Sequence, residues 1–330
     1  MDRRHFLVAS ATSAAALAVD PRALAARLGG TRLAFVTADL ESHVAVLHGW
    51  TLAPVYRIRT GPGPRSIESA HDRIAVVAHS EHGVVTLLDA DTRDLYLPTS
   101  DRSRVRAELE GFSAPRYAAV HPRRFIAYVT DSEAEAVVAV DLQAGRVRSR
   151  VSVPGPARHV SVSPDGRRLW TVLGSAAARI AVLDTSDPLR PRLVRTFGPP
   201  FPAHDVVFAP GGKRVWVTSG SERRIGIFGA DGDVRRILPA GASPQHVAFA
   251  GHEALVASGD EGTVRRHRLG GAFVRELRVP AGSYNIAHGA GLAVTPSLED
   301  GSVASLGTSR VLAHRDVGRA AHDACVVFGP

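Results

Sequence analysis

Cysteine is all but absent from this chain of 330 residues: Cys325 stands alone. An internal disulfide framework is therefore excluded, and stability has to come from buried apolar strands. Lysine is equally scarce, with Lys213 the single one among 40 basic residues. The arginines are scattered along the chain and not gathered into a stripe with interleaved aromatics, so the formal charge of +8 does not read as a nucleic-acid surface. Several catalytic motifs are missing too. There is no Gly-x-Ser-x-Gly elbow, no His-Glu-x-x-His, no phosphate-cradling Gly-rich turn into a helix and no haem-type Cys-x-x-Cys-His. No stretch beyond the N-terminal region is long and apolar enough to span a bilayer, and no Pro/Gly/Ser-rich linker divides the chain.

The N-terminal region reads as an export signal. Met1-Asp2-Arg3-Arg4-His5-Phe6-Leu7 is a basic head, Val8 to Val19 is an uncharged stretch too short to cross a membrane, and Ala16-Leu17-Ala18 and Ala23-Leu24-Ala25 are small-x-small exits. The paired arginines followed by Phe-Leu resemble the twin-arginine signal, whose pathway carries folded proteins. The expectation is a signal and short linker over 1–30 and a single domain over 31–330, exported to a periplasmic, cell-wall or extracellular destination, with no membrane span after cleavage.

The remainder is a repeat. Between Pro156 and Asp187 an apolar run (Val160-Ser161-Val162) leads through Ser163-Pro164-Asp165-Gly166 into Arg168-Leu169-Trp170-Thr171-Val172, and then into Ile180-Ala181-Val182-Leu183-Asp184. This is strand, tight turn, strand, turn, strand. Related starts recur at Pro64, Pro115, Ala203, Pro244 and Ser283, spaced roughly 38 to 51 residues apart, the period of a four-stranded propeller blade. The chain after residue 30 begins with second, third and fourth strands (Leu33 to Thr37, His43 to Leu47, Val55 to Ile58), and Ala321 to Phe328 near the other end has the pattern of a first strand. The prediction is an all-β, seven-bladed propeller of four-stranded antiparallel blades, in which the C-terminal strand completes the first blade and removes two open edges. Cys325 is then a small buried residue of the closing strand. The segment from Asp94 to Phe112 lengthens the second blade, and its mixed charges read as a solvated loop with one helical turn.

Tyr128-Val129-Thr130-Asp131, Trp216-Val217-Thr218-Ser219 and Phe35-Val36-Thr37-Ala38 resemble the Tyr-Val-Thr-Asn signature of the YVTN-type propeller repeat family, and Ser163-Pro164-Asp165-Gly166 resembles that family's turn. The Asn itself is absent. The resemblance implies a propeller and admits several activities, including lactone hydrolysis and electron transfer.

Function has to be sought where the blades differ. Each first strand borders the central axis, so the residue just before it faces the channel mouth: Arg65, Arg116, Arg158, His204, Gln245, Tyr284 and His322, blade by blade. The next column is Ser66, Tyr117, His159, Asp205, His246, Asn285 and Asp323, and the third turns apolar. Three arginines suit a carboxylate or phosphate, and the two foremost histidines titrate near neutrality. The leading expectation is a binding module whose Arg/His mouth takes a small anionic molecule or a protein partner. The alternative is a lactonase-like hydrolase drawing its base from His204, Asp205, His322 or Asp323; a third is a metal-bearing or electron-transfer subunit. No cofactor is expected. A metal centre from His159, His204, His246 and His322 is not expected either, because only two of these are foremost and neighbours on a strand point to opposite faces. His71, His79, His82, His121 and His288 fall in turns and read as solvated.

Overall fold

The computed structural model describes residues 31–92, 104–174 and 176–329. The export-signal reading lies outside them, as does the part of the Asp94 to Phe112 segment that precedes residue 104. Among the described residues there are 28 strands and no α-helix. They form seven four-stranded antiparallel sheets, six built from consecutive strands and the seventh ordered β28-β1-β2-β3. The closure is as the repeat predicts. β28 (Ala321–Gly329) pairs with β1 (Thr31–Ala38), Phe35 opposite Cys325 and Leu33 opposite Val327. Blades are numbered here from the one that β1 and β28 share.

Within a blade, sequence and position agree. Second strands such as β9 (Ile126–Asp131) and β5 (Ile74–His79) are buried at every residue, because both sheet faces are covered by the neighbouring blades. That is why they read as continuous apolar runs. Fourth strands border solvent, and β11 (Arg146–Ser152) alternates exposed with half-buried residues. The core therefore lies between blades: Trp170 of blade 4 packs with Phe208, Val215 and Phe228 of blade 5. Gly166 takes φ +75° in the Pro-Asp-Gly turn, and a Cβ there would meet the His121 ring of blade 3.

Two expectations change. Val105–Leu109 is the outer strand β7 of blade 2, paired with β6 (Val84–Asp89), and not a loop, because Val105 packs toward blade 1 and Ala107 and Leu109 toward blade 3 while Arg106 and Glu108 stay exposed. His79 is not solvated: it is buried, 2.9 Å from both the Pro62 carbonyl and the Thr86 hydroxyl.

Candidate functional site

The residues before each first strand share one structural device. In blade 3, Pro115 faces Asp131 and Ala118 faces Val129; in blade 4, Ala157 faces Leu173 and Val160 faces Thr171; in blade 1, Ala321 faces Ala38 and Ala324 faces Val36. Each time the first strand advances one residue more than its partner. Blades 5 and 6 keep the same count outside regular strand: Thr218 bonds both His204 and Asp205, and Ala257 bonds both Gln245 and His246. These are β-bulges, which break alternation and re-aim side chains. Arg116-Tyr117, Arg158-His159, His204-Asp205, Gln245-His246 and His322-Asp323 sit on them.

Because of the bulges, both columns reach the axis. All seven foremost residues, Arg65, Arg116, Arg158, His204, Gln245, Tyr284 and His322, line one cavity of about 160 Å³ together with Tyr117, His159, His246, Asn285 and Leu298. Four of the second column, Tyr117, His159, His246 and Asn285, also line a larger cavity of about 480 Å³ at the other end of the channel. They form the waist between the two. The larger cavity is walled by apolar third-column residues such as Ile67, Val160 and Ile286, and also by Glu68, His71, His121 and His288. Of these last three histidines, His71 is exposed as expected, whereas His121 is buried and His288 half-buried, so those two are not in free solvent.

The narrow mouth is electrostatically lopsided. Arg65 reaches Asp39 at 3.4 Å, whereas the guanidiniums of Arg116 and Arg158 make no hydrogen bond or ion pair with any described residue. Burial, and then the charges of Arg65 and Arg158, weaken the hold of Arg116 on its proton. Opposite them the Tyr284 hydroxyl lies 3.1 Å from Asp260 and 3.4 Å from Glu299, and its pKa is pushed up to about 12 by burial and those carboxylates.

His322 Nδ1 lies 2.8 Å from Asp39 Oδ2. Burial keeps the imidazole below its ordinary value despite the carboxylate, while His322 and Arg65 hold Asp39 low against the opposing pull of its own burial. At neutral pH the pair is a neutral imidazole donating to a carboxylate. Asp39 escaped the sequence reading because it follows a second strand, outside the aligned columns. The carboxylates proposed there as bases have other partners. Asp205 accepts the amides of Val206 at 2.8 Å and Val247 at 3.1 Å, and Asp323 those of Ala324 at 2.8 Å and Ile67 at 3.0 Å. Each staples its blade to the next, and burial raises both to about 7.

The expectation that the histidines stay apart fails for three of the four. His159, His204 and His246 converge with ligand atoms all within 4.8 Å of one another, because the bulges of consecutive blades 4, 5 and 6 turn neighbouring columns onto one axis. Their ring centroids are 4.6 to 5.3 Å apart, with Tyr117 4.2 Å from His159. Burial lowers all three; His204 falls to about 4.

The chain is thus a seven-bladed β-propeller with a polar, arginine- and histidine-lined axial channel. No protein-family model matches the sequence, and no curated protein matches it. Solved structures match its fold. A functionally unknown protein from Desulfotomaculum acetoxidans superposes with a TM-score of 0.73 at 15% identity, over 89% of this chain and 98% of that one. Apo AztD from Citrobacter koseri gives 0.69 at 12% identity, over 91% and 99%. Dihydro-heme d1 dehydrogenase NirN gives 0.60 at 17% identity, over 86% and 63%.

Proposed function

We propose that this chain is an exported propeller of the YVTN type that binds a small anion at the narrow mouth of its channel. The observation that carries the reading is the pair Arg116 and Arg158, two half-buried guanidiniums lining one cavity with no anionic partner among the described residues. Desolvated like charges repel. A phosphate, sulfate or small carboxylate placed among them would relieve that repulsion and accept charge-assisted hydrogen bonds of about 1.5–3 kcal/mol each. At about 160 Å³ the mouth is smaller than the roughly 300–1,000 Å³ of drug-sized sites, which favours an ion of a few heavy atoms. The Arg3-Arg4 head and apolar stretch before residue 20 support export. Calorimetric titration with phosphate, sulfate and short dicarboxylates tests the site. One of them should bind, with affinity reduced about tenfold or more in Arg116→Ala and in Arg158→Ala; no binding, or binding indifferent to both substitutions, refutes the reading.

The His322–Asp39 pair favours a second reading, hydrolysis of a lactone. The carboxylate orients the imidazole, whose Nε2 can take a proton from water as that water attacks the carbonyl, with Arg65 close by to steady the oxyanion. The ring C–O bond then breaks, the alcohol regains the proton, and the product carboxylate suits the arginines. A lactone panel assayed with wild type, His322→Ala and Asp39→Asn decides it: turnover should drop about 100-fold or more in His322→Ala. Absence of turnover across the panel ends this reading while leaving the anion site intact.

A further inference from the structure

We propose that His159, His204 and His246 bind one late first-row divalent transition-metal ion, of the zinc type, at the waist of the channel. Their ligand atoms lie within 4.8 Å of one another. A tetrahedral ion with metal–nitrogen distances of about 2.0–2.1 Å needs its donors roughly 3.3 Å apart, and small rotations about the histidine side-chain bonds close the difference.

The second observation is His159 itself. It is 4% exposed, yet among the described residues neither Nδ1 nor Nε2 has a partner at hydrogen-bond geometry, the His204 backbone making only a weaker approach. A buried imidazole left unsatisfied at both nitrogens costs free energy. It is explained if one lone pair is a ligand. His246 has the complementary arrangement, with the Asp205 carboxylate 3.6 Å from Nδ1. That contact is longer than a hydrogen bond; once closed by about half an ångström, it would orient the ligating imidazole and leave Nε2 for the ion.

Three imidazoles and no thiolate suit zinc, copper, nickel or iron over magnesium or calcium. Three protein ligands leave a fourth position open, and the waist opens to a cavity on either side through His159 and His246. All three histidines also border the narrow mouth, but the anion site is built on Arg116 and Arg158, and the metal site takes only His204 from the foremost column. Arg158 is near enough to disfavour the protonated forms of both His159 and His204, so its charge also acts against a bound cation. The two proposals therefore respond oppositely to its removal.

The competing explanation is that the three rings and Tyr117 merely fill the waist, in which case a phenyl ring should serve as well as an imidazole. Tag-free protein, dialysed against chelator, is titrated with Co(II) and followed by its visible d–d absorption; Zn(II) competition against a chromophoric chelator gives the affinity. Expected are one Co(II) per chain, displacement by Zn(II), and binding weakened about 100-fold or more in His159→Phe and in His204→Ala. His204 is partly exposed, so its variant serves if His159→Phe misfolds. His121→Ala should bind like wild type, and Arg158→Ala should bind metal at least as tightly while losing the anion. The proposal is overturned if no stoichiometric Co(II) binds, if His159→Phe and His204→Ala bind like wild type, or if Arg158→Ala abolishes metal binding.

Discussion

The hydroxyl of Thr218, fully buried, accepts the amide of Asp205 at 3.1 Å and donates to the Gln245 carbonyl of the next blade at 2.5 Å. Thr37 does the same for Asp323 at 3.0 Å and Arg65 at 3.2 Å, and Thr130 accepts the amide of Tyr117 at 3.1 Å. In each case the hydroxyl satisfies an N–H that the bulge has taken out of the regular ladder. The Thr of the Val-Thr pairs thus has a physical role, because it caps the bulge that carries the mouth residues. Blade 4 has Val172 at the corresponding place and still bulges, so the hydroxyl stabilises the bulge without creating it. Replacing Thr218 by valine keeps the shape and strands one donor and one acceptor in the core. Thr218→Val should therefore fold, with stability in urea lowered by about 1–3 kcal/mol; a loss below about 0.5 kcal/mol would mean that the bulge needs no cap.

At the level of strands, what could be read from residues and what could not divide at the bulge. Apolar runs such as Ile126 to Thr130, and turns such as Ser163 to Gly166, repeat at blade spacing, and burial on both faces explains why they repeat. The incomplete first unit and the strand-like Ala321 to Phe328 pointed to ring closure, which β1 and β28 show. Identity of the mouth residues was also legible, since the columns depend only on counting back from each turn. Their convergence at the waist was not. Alternation along a strand keeps His204 and His159, one column apart, on opposite faces, and one extra residue per first strand cancels that rule. A bulge has no letter of its own here: Arg116-Tyr117, His204-Asp205 and Gln245-His246 have no residue in common, yet all three are bulged. Asp39 was lost for a different reason, as it reaches His322 across 283 positions of chain, a contact that exists only once the ring is closed.

For the whole molecule the channel sets the pH response, because a ring that encloses its polar residues desolvates them together. Glu68 is exposed to the water of the wide cavity, which the surrounding blades wall in; its enclosure among them, then the charge of Asp323, raises it to about 8. Asp323, raised by burial to about 7, behaves alike. Such carboxyls keep their protons when folded and lose them on unfolding, so they erode stability as pH rises from their ordinary values through 7 to 8. His79 and His267 act in the opposite direction. Burial holds both below 6.5, so they are neutral when folded but protonate on unfolding in acid, and their contribution is present above 6.5 and lost as pH falls. From about 4.5 to 6.5 the two sets oppose each other. Above 6.5 the histidines fall silent and the carboxyls act alone. Urea titrations of metal-free protein should therefore show stability declining between about pH 6.5 and 8.5, with a shallower decline in Glu68→Gln, which cannot lose a proton. An unchanged slope in that variant would place the raised carboxyl elsewhere on the channel wall, with Asp323 the next to replace.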